Sequence, residues 1–352
     1  MSLFRKYSLY LILTLAGAFI IFLAVITATD YRPAEKLRCD RLGKAEGVLS
    51  ADSTYTLQTW NLGYFGLGKN DDFFYDGGKM TRPGREDYDH SSSGVIDFVE
   101  NSAKSDFYFF QEVDLSARRS YRDNQVKRLM DALPGYESWF AMNYDVLFVP
   151  MPVTNPMGSV KSGILTFSSL PSTEDTRIAF PGGYSWPVGL FMLDRCFILT
   201  CIKMPGGKDL VLINTHNEAF DNGSQRRQQM EVLREAMLGE YAKGNYVVAG
   251  GDWNQNPLGF DPKGFITGDV GRYIEPAIEA DFLPAEWKWA FDPKTPTNRN
   301  VDQAYKRGST PVTIIDFFVV SPNVEILEVK TRDLGFQWTD HQPVRMRFKL
   351  ME

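Results

Sequence analysis

Nine runs of six to eight mostly apolar residues recur between Tyr55 and Phe348, and they limit the possible folds more than any other feature of the chain. They read YTLQTWNL, DFYFFQEV, YDVLFVP, SGILTFSS, CFILTCI, DLVLINT, NYVVAG, TIIDFFVV and PVRMRF. Each is too short for a core helix, and most are rich in the β-branched and aromatic residues that suit a pleated, buried surface. One strong helix is expected in SQRRQQMEVLREAMLGEYAK. There Met230, Leu233, Met237 and Tyr241 form one apolar stripe and Gly244 stands where a C-terminal cap is wanted. Arg226 and Gln229 of that helix are expected to face solvent. Weaker helices are expected at 94–103 and 120–132. About nine strands with few long helices predict two packed β-sheets flanked by helices.

The N-terminus follows a different pattern. After Arg5 and Lys6, the stretch from Tyr7 to Ala28 carries no charge. Its 22 residues are long enough to cross a hydrocarbon core of about 30 Å. Residues 1–28 are therefore read as a transmembrane anchor, or as a signal segment if ITA is a cleavage site. Basic residues before the span and Asp30 after it place the N-terminus in the cytoplasm and the rest of the chain outside it. Residues 29–52 are charged and aperiodic and are read as a tether. Residues 53–352 are expected to form one catalytic domain, a monomer.

Charge narrows the partners. The whole chain has a net charge of −6. Residues 1–46 hold seven Lys/Arg and four Asp/Glu, leaving 31 basic and 40 acidic residues, a net −9, in 47–352. That balance disfavours tight non-specific binding to nucleic acid, which draws on many Lys and Arg contacts to phosphates. Cys39, Cys196 and Cys201 show no metal-ligand spacing and are expected to be buried, unpaired thiols.

Several strand-like runs end in polar residues that their own packing does not need. LQTWN ends in Asn61, FYFFQE in Glu112, VLINTH in His216, and VVAGGDWN in Asp252 and Asn254. Asp340 and His341 precede the last strand, and Asp316 lies inside the apolar TIIDFFVV. A buried carboxylate is costly unless paired, so Asp316 calls for a basic partner. Glu112, Asp252, Asp316 and Asp340 meeting at one rim would repel one another without a cation. Oxygen and amide ligands with few histidines suit Mg²⁺ or Mn²⁺ better than zinc. The glycine-rich loops at 63–93 and 255–311 are expected to border the site. Tyr121, Asn298 and Arg299 are candidate substrate contacts, and His90 is read as a solvated loop residue.

TWNLGYFG, QEVD, NTH, GGDWNQNP, IIDFFVVS and TDHQPV, in that order, resemble the motifs of the endonuclease/exonuclease/phosphatase superfamily over residues 53–350. The resemblance implies a four-layer α/β (α+β) sandwich, two mixed sheets face to face with helices outside, preceded here by the N-terminal hydrophobic helix. It implies hydrolysis of a phosphate ester by activated water. Asn61, Glu112 and Asp340 would lie at the metal, and Asp252 would orient or deprotonate the water. Asn254 and His216 would contact the phosphoryl group or leaving group, and Asp316 would orient and charge His341. Implied substrates are a lipid head group, a small phosphorylated metabolite or nucleic acid. A non-catalytic module of the same fold would be expected to lack one of Glu112, Asp252, Asn254 or His341; all are present.

Overall fold

Alternation along the strands sorts side chains into layers. In Phe107–Asp114, Phe107 and Phe109 face one way, Tyr108 and Phe110 the other, and all four are fully buried. Phe107 and Phe109 join Leu210, Leu212, Val248 and Phe318 in a central core. Tyr108 and Phe110 pack with Val95, Val99, Val126 and Leu129 of two helices. A strand apolar on both faces must lie between two layers. Truncating one of these rings, as in Phe109→Ala, would cost about 3–5 kcal/mol.

The structure, a computed structural model, describes residues 3–219, 223–265 and 275–351. One mixed sheet runs, in spatial order, β1 (Lys36–Arg38), β7 (Glu174–Ala179), β8 (Cys196–Lys203), β9 (Asp209–His216), β10 (Tyr246–Asp252), β14 (Asp316–Val320) and β11 (Lys288–Ala290). The other runs β15 (Val324–Thr331), β16 (Val344–Leu350), β3 (Thr54–Asn61), β4 (Phe107–Asp114), β6 (Gly158–Ser168), β5 (Glu137–Val149) and β2 (Arg41–Gly43). A short ribbon pairs β12 (Asn298–Arg299) with β13 (Val312–Thr313). Outside the first sheet lies α4 (Ser224–Ala242), whose Met230, Leu233 and Met237 pack on Val211, Ile213, Val247 and Ala249. Outside the second lie α2 (Arg85–Asn101) and α3 (Gln125–Ala132). The four-layer sandwich is the expected architecture.

The differences are local and have physical causes. Part of the expected tether is built into the domain: β1 pairs with β7 and β2 with β5, one on each sheet. Short edge strands need only the backbone ladder, so their polar sequences show no apolar alternation. β15 was not among the nine runs because this edge strand is largely exposed along its length. The helix expected at 94–103 begins at Arg85, where the buried residues are Tyr88, Ser91 and Ser92 rather than an aliphatic stripe. Gly94 admits Trp338, whose ring would lie 2.2 Å from an added Cβ. His90 is exposed, as expected, but sits on α2. Helix α1 (Leu3–Ala28) is long and apolar enough to cross a membrane, and only Ile26 in it is buried. The three cysteines are buried and unpaired, and burial first of all pushes the Cys39 thiol up to about 12.

Candidate active site

Strand directions bring the polar ends to one edge. β3 runs parallel to β4 and β9 parallel to β10, so Asn61, Glu112, His216 and Asp252 all finish there. β14 and β16 run antiparallel to their neighbours, so Asp316 opens one and His341 lies three residues before the other. Asp252 stands in register with His216 on one side and Asp316 on the other.

Two glycines make this register possible. At Gly251, with φ +140°, an added Cβ would lie 2.0 Å from the Thr215 carbonyl oxygen. At Gly250 it would lie 2.3 Å from Phe318 Cδ1. β10 thus passes close between its neighbours and delivers Asp252 between two histidines. Trp253 then locks the turn by stacking on Phe317 at 5.0 Å and donating its N–H to the Phe317 carbonyl. Glu112 is set by a β-bulge, where the β4–β6 register shifts between Phe110 and Val113. Its φ of +53° is unusual for a glutamate and turns its side chain into the mouth. Asn254 also has positive φ, which asparagine tolerates, and its amide donates to the Asn217 carbonyl at 2.8 Å.

The side chains converge on Asp252. The Asn61 amide donates to Asp252 Oδ2 at 2.8 Å and to Glu112 Oε1 at 3.1 Å. His216 Nε2 lies 3.5 Å and His341 Nε2 3.7 Å from the same Asp252 oxygen. His341 Nδ1 bonds Asp316 Oδ2 at 2.7 Å, which supplies the basic partner that the buried Asp316 required. Asn298 Nδ2 lies 2.8 Å from His341 Nε2. Thr297 Oγ1 accepts the backbone N–H groups of Ile315 and Asp316 and fixes the start of β14. Asp340 is buried against the Asn61–Gly63 turn, where a Cβ on Gly63 would lie 2.9 Å from its Oδ1.

The two histidines differ in charge. Burial opposes protonation of His341, but Asp316, Asp252 and Asp340 outweigh it and raise its pKa, so His341 is cationic at neutral pH. Burial, then the Arg195, His341 and Arg119 charges, hold His216 well below its ordinary pKa and keep it neutral. Burial also raises Asp252. Asp76, on the rim loop, is pushed up to about 7 by burial and then by Asp340 and Glu112.

Glu112, Asp252, Asp316 and Asp340 together exceed the single charge of His341, and the surplus suits a divalent ion. Asp252, Asp316 and His341 offer ligand atoms within 4.8 Å of one another. His341 is protonated and its Nδ1 is held by Asp316, however, so the ring offers no lone pair and the Glu112 side of the cluster is left for a cation. There Glu112 is the more open carboxylate, with 25 % of its side chain exposed. This oxygen-rich set fits a hard cation.

The profile of the Endonuclease/Exonuclease/phosphatase family matches residues 59–341. The chain belongs to that family. Endonuclease/exonuclease/phosphatase members hydrolyse phosphoester bonds with a divalent metal. A comparison with curated proteins returns no match. Among solved structures, the chain is similar to an endonuclease/exonuclease/phosphatase from Beutenbergia cavernae, at 16% identity and TM-score 0.56, covering 85% of this chain and 72% of that one. D. rerio TDP2 complexed with a single-strand DNA product matches at 14% and 0.51, over 85% and 100%. ANGEL2, a 2',3'-cyclic phosphatase in complex with adenosine-2',3'-vanadate, matches at 12% and 0.54, over 90% and 99%.

Some expectations at this endonuclease/exonuclease/phosphatase site need correction. Arg226 and Gln229 do not face solvent. Gln229 Oε1 accepts the Glu218 N–H, and Arg226 donates to the Glu218 and Ala219 carbonyls, so both brace the turn after His216. Arg299 is buried and donates to the carbonyls of Leu67, Gly68 and Asp71, anchoring the rim loop. Tyr121 packs on Tyr88 and bonds the Pro83 carbonyl. Asn298, named only as a substrate contact, lies 2.8 Å from His341 Nε2. Arg195, Glu218 and Asp76 carried no signal in the sequence.

Proposed function

We propose that this chain is a Mg²⁺- or Mn²⁺-dependent phosphoester hydrolase in which water attacks phosphorus in line. The observation that carries it is Asp252 set between a neutral and a cationic histidine, beside the acids Glu112 and Asp340. Glu112, Asp340 and Asn61 would hold the metal, which when bound neutralises charge on the non-bridging oxygens and eases departure of the alkoxide. Asp252, raised by burial, orients the water and takes its proton as the new P–O bond forms and the ester P–O bond breaks. The leaving alkoxide takes a proton from solvent water, and Asp252 returns its own to solvent, so that ester and water give phosphate and alcohol. Asp316 holds His341 protonated, so that its Nε2–H faces the charge that builds on the phosphoryl oxygens. Asn254 and His216 contact the phosphoryl or leaving group.

α1 would tether the domain to a membrane, outside the cytoplasm, or the chain would be secreted if residues 1–28 are removed. The substrate is a lipid head group ester or a small phosphate ester, met by a monomer. Nucleic acid is the second reading: the likeness to DNA-bound TDP2 favours it, and the net −9 of residues 47–352 weighs against it. The test compares bis-p-nitrophenyl phosphate with p-nitrophenyl phosphate, in Mg²⁺ and in EDTA. Turnover that needs Mg²⁺ is expected; EDTA-resistant turnover would reject the metal assignment.

A further inference from the structure

We infer that the catalytic mouth is docked against the bilayer that holds α1 and takes its phosphate ester from lipid. The inference rests on the hydrolase reading above and narrows its substrate class. Ten large apolar side chains outside α1 are exposed among the described residues, and six of them lie in two short segments. Leu147, Phe148, Met151 and Val153 come from the end of β5 and the turn after it. Trp186 and Val188 come from the segment that leads into the 3-10 turn Val188–Phe191. An apolar patch of this kind on a soluble surface marks an interaction site.

α1 identifies the occupant. Its Phe22 ring packs on Phe148 at 6.3 Å and on Phe191 at 6.2 Å, and the Trp186 indole N–H donates to Thr27 Oγ1 at 3.2 Å. A hydrocarbon core of about 30 Å counted from Tyr7 ends near Ile26, which puts Phe22 roughly 6 Å inside its outer boundary. The segments touching Phe22 therefore enter the lipid by a few ångström, the depth at which amphipathic elements lie in an interface.

The same patch leads into the active site. β4 carries Glu112 at its end, its neighbour β6 pairs Ser162 with Asp114, and β5 pairs Tyr144 with that Ser162. The β5–β6 turn thus projects from the sheet edge that bears Glu112. Tyr144 Oη donates to the Phe191 carbonyl at 2.9 Å and ties the two segments together. Directly after Phe191, Met192 and Leu193 line a cleft with Tyr75, Tyr144 and Met157 that opens on Glu112 and His216. Arg195, 6% exposed, also lines the cleft, with Arg119, Asn143, Ser162 and Glu218 as its other polar groups. Acyl chains stay in the bilayer, and the apolar wall lets the ester reach the acids without crossing open water.

The test uses the full chain reconstituted in vesicles of phosphatidylcholine, phosphatidylglycerol and sphingomyelin. An environment-sensitive fluorophore is placed at Val153→Cys, 80% exposed, or at Lys208→Cys on the opposite edge; the native thiols are buried. Brominated lipid should quench the Val153 label at least about threefold more than the Lys208 label. A Leu147→Glu/Val153→Glu variant should release head groups from vesicles at least about tenfold more slowly, with turnover of bis-p-nitrophenyl phosphate unchanged. Unchanged bis-p-nitrophenyl phosphate turnover also shows that the variant folds. Equal quenching at the two positions, or unchanged release from vesicles, would overturn the docking. If the unsubstituted chain leaves bis-p-nitrophenyl phosphate intact, the hydrolase reading fails and the quenching alone decides the docking.

Discussion

The two flanks of Asp252 are built in opposite ways. On the β14 side Asp316 accepts from Nδ1 of His341 and the ring is held cationic, with the Asn298 amide 2.8 Å from its Nε2. On the β9 side His216 is neutral, and its Nδ1 has no hydrogen-bond partner among the described residues. Carboxylates surround the first histidine, whereas Arg195 and Arg119 stand behind the second. Equal burial with opposite neighbours leaves one ring cationic and the other neutral. One side presents a fixed positive charge; on the other an uncharged ring turns its Nε2 toward Asp252 and Glu112.

Placed on one free-energy scale of about 1.4 kcal/mol per decade of rate, four substitutions would break or sharpen that contrast. Asp252→Ala removes the group both flanks serve and should lower kcat about 10³-fold, read with bis-p-nitrophenyl phosphate in Mg²⁺. Asp316→Asn should lower it about 10²-fold. It should also shift the rate profile: Asp316 raises the His341 pKa, so its loss lets His341 deprotonate earlier and moves the alkaline limb to lower pH. An unmoved limb would show that His341 charge does not depend on Asp316. Gly251→Ala forces a side chain into positive φ against the Thr215 carbonyl and should cost about 2 kcal/mol in a denaturant melt. His216→Gln is the mildest, with about a tenfold loss shared between kcat and KM and no movement of the alkaline limb. A shift of that limb in His216→Gln would erase the distinction between the flanks.

Much of the fold was legible because buried strands must be apolar, and their alternation survives in Phe107–Phe110, Leu210–Ile213 and Tyr246–Ala249. The candidate site was legible for a related reason: Asn61, Glu112, His216 and Asp252 are polar residues where an apolar strand has no use for them. What escaped was set by contacts distant in sequence. Gln229 and Arg226 look like a solvated helix face until the turn after His216 folds against them. Lys36–Arg38 and Arg41–Gly43 pair through backbone alone and leave no side-chain pattern. Glu112 sits at a bulge, which is a property of two strands and not of one.

By itself the sequence determined where the buried apolar strands lie, that an apolar span precedes them, and that acids, amides and two histidines stand at strand ends. Only the tertiary structure decided which histidine carries the charge. Protonation follows the field at the ring, and that field comes from Asp316, Asp252 and Asp340 at His341 and from Arg195 and Arg119 at His216, groups joined only by folding.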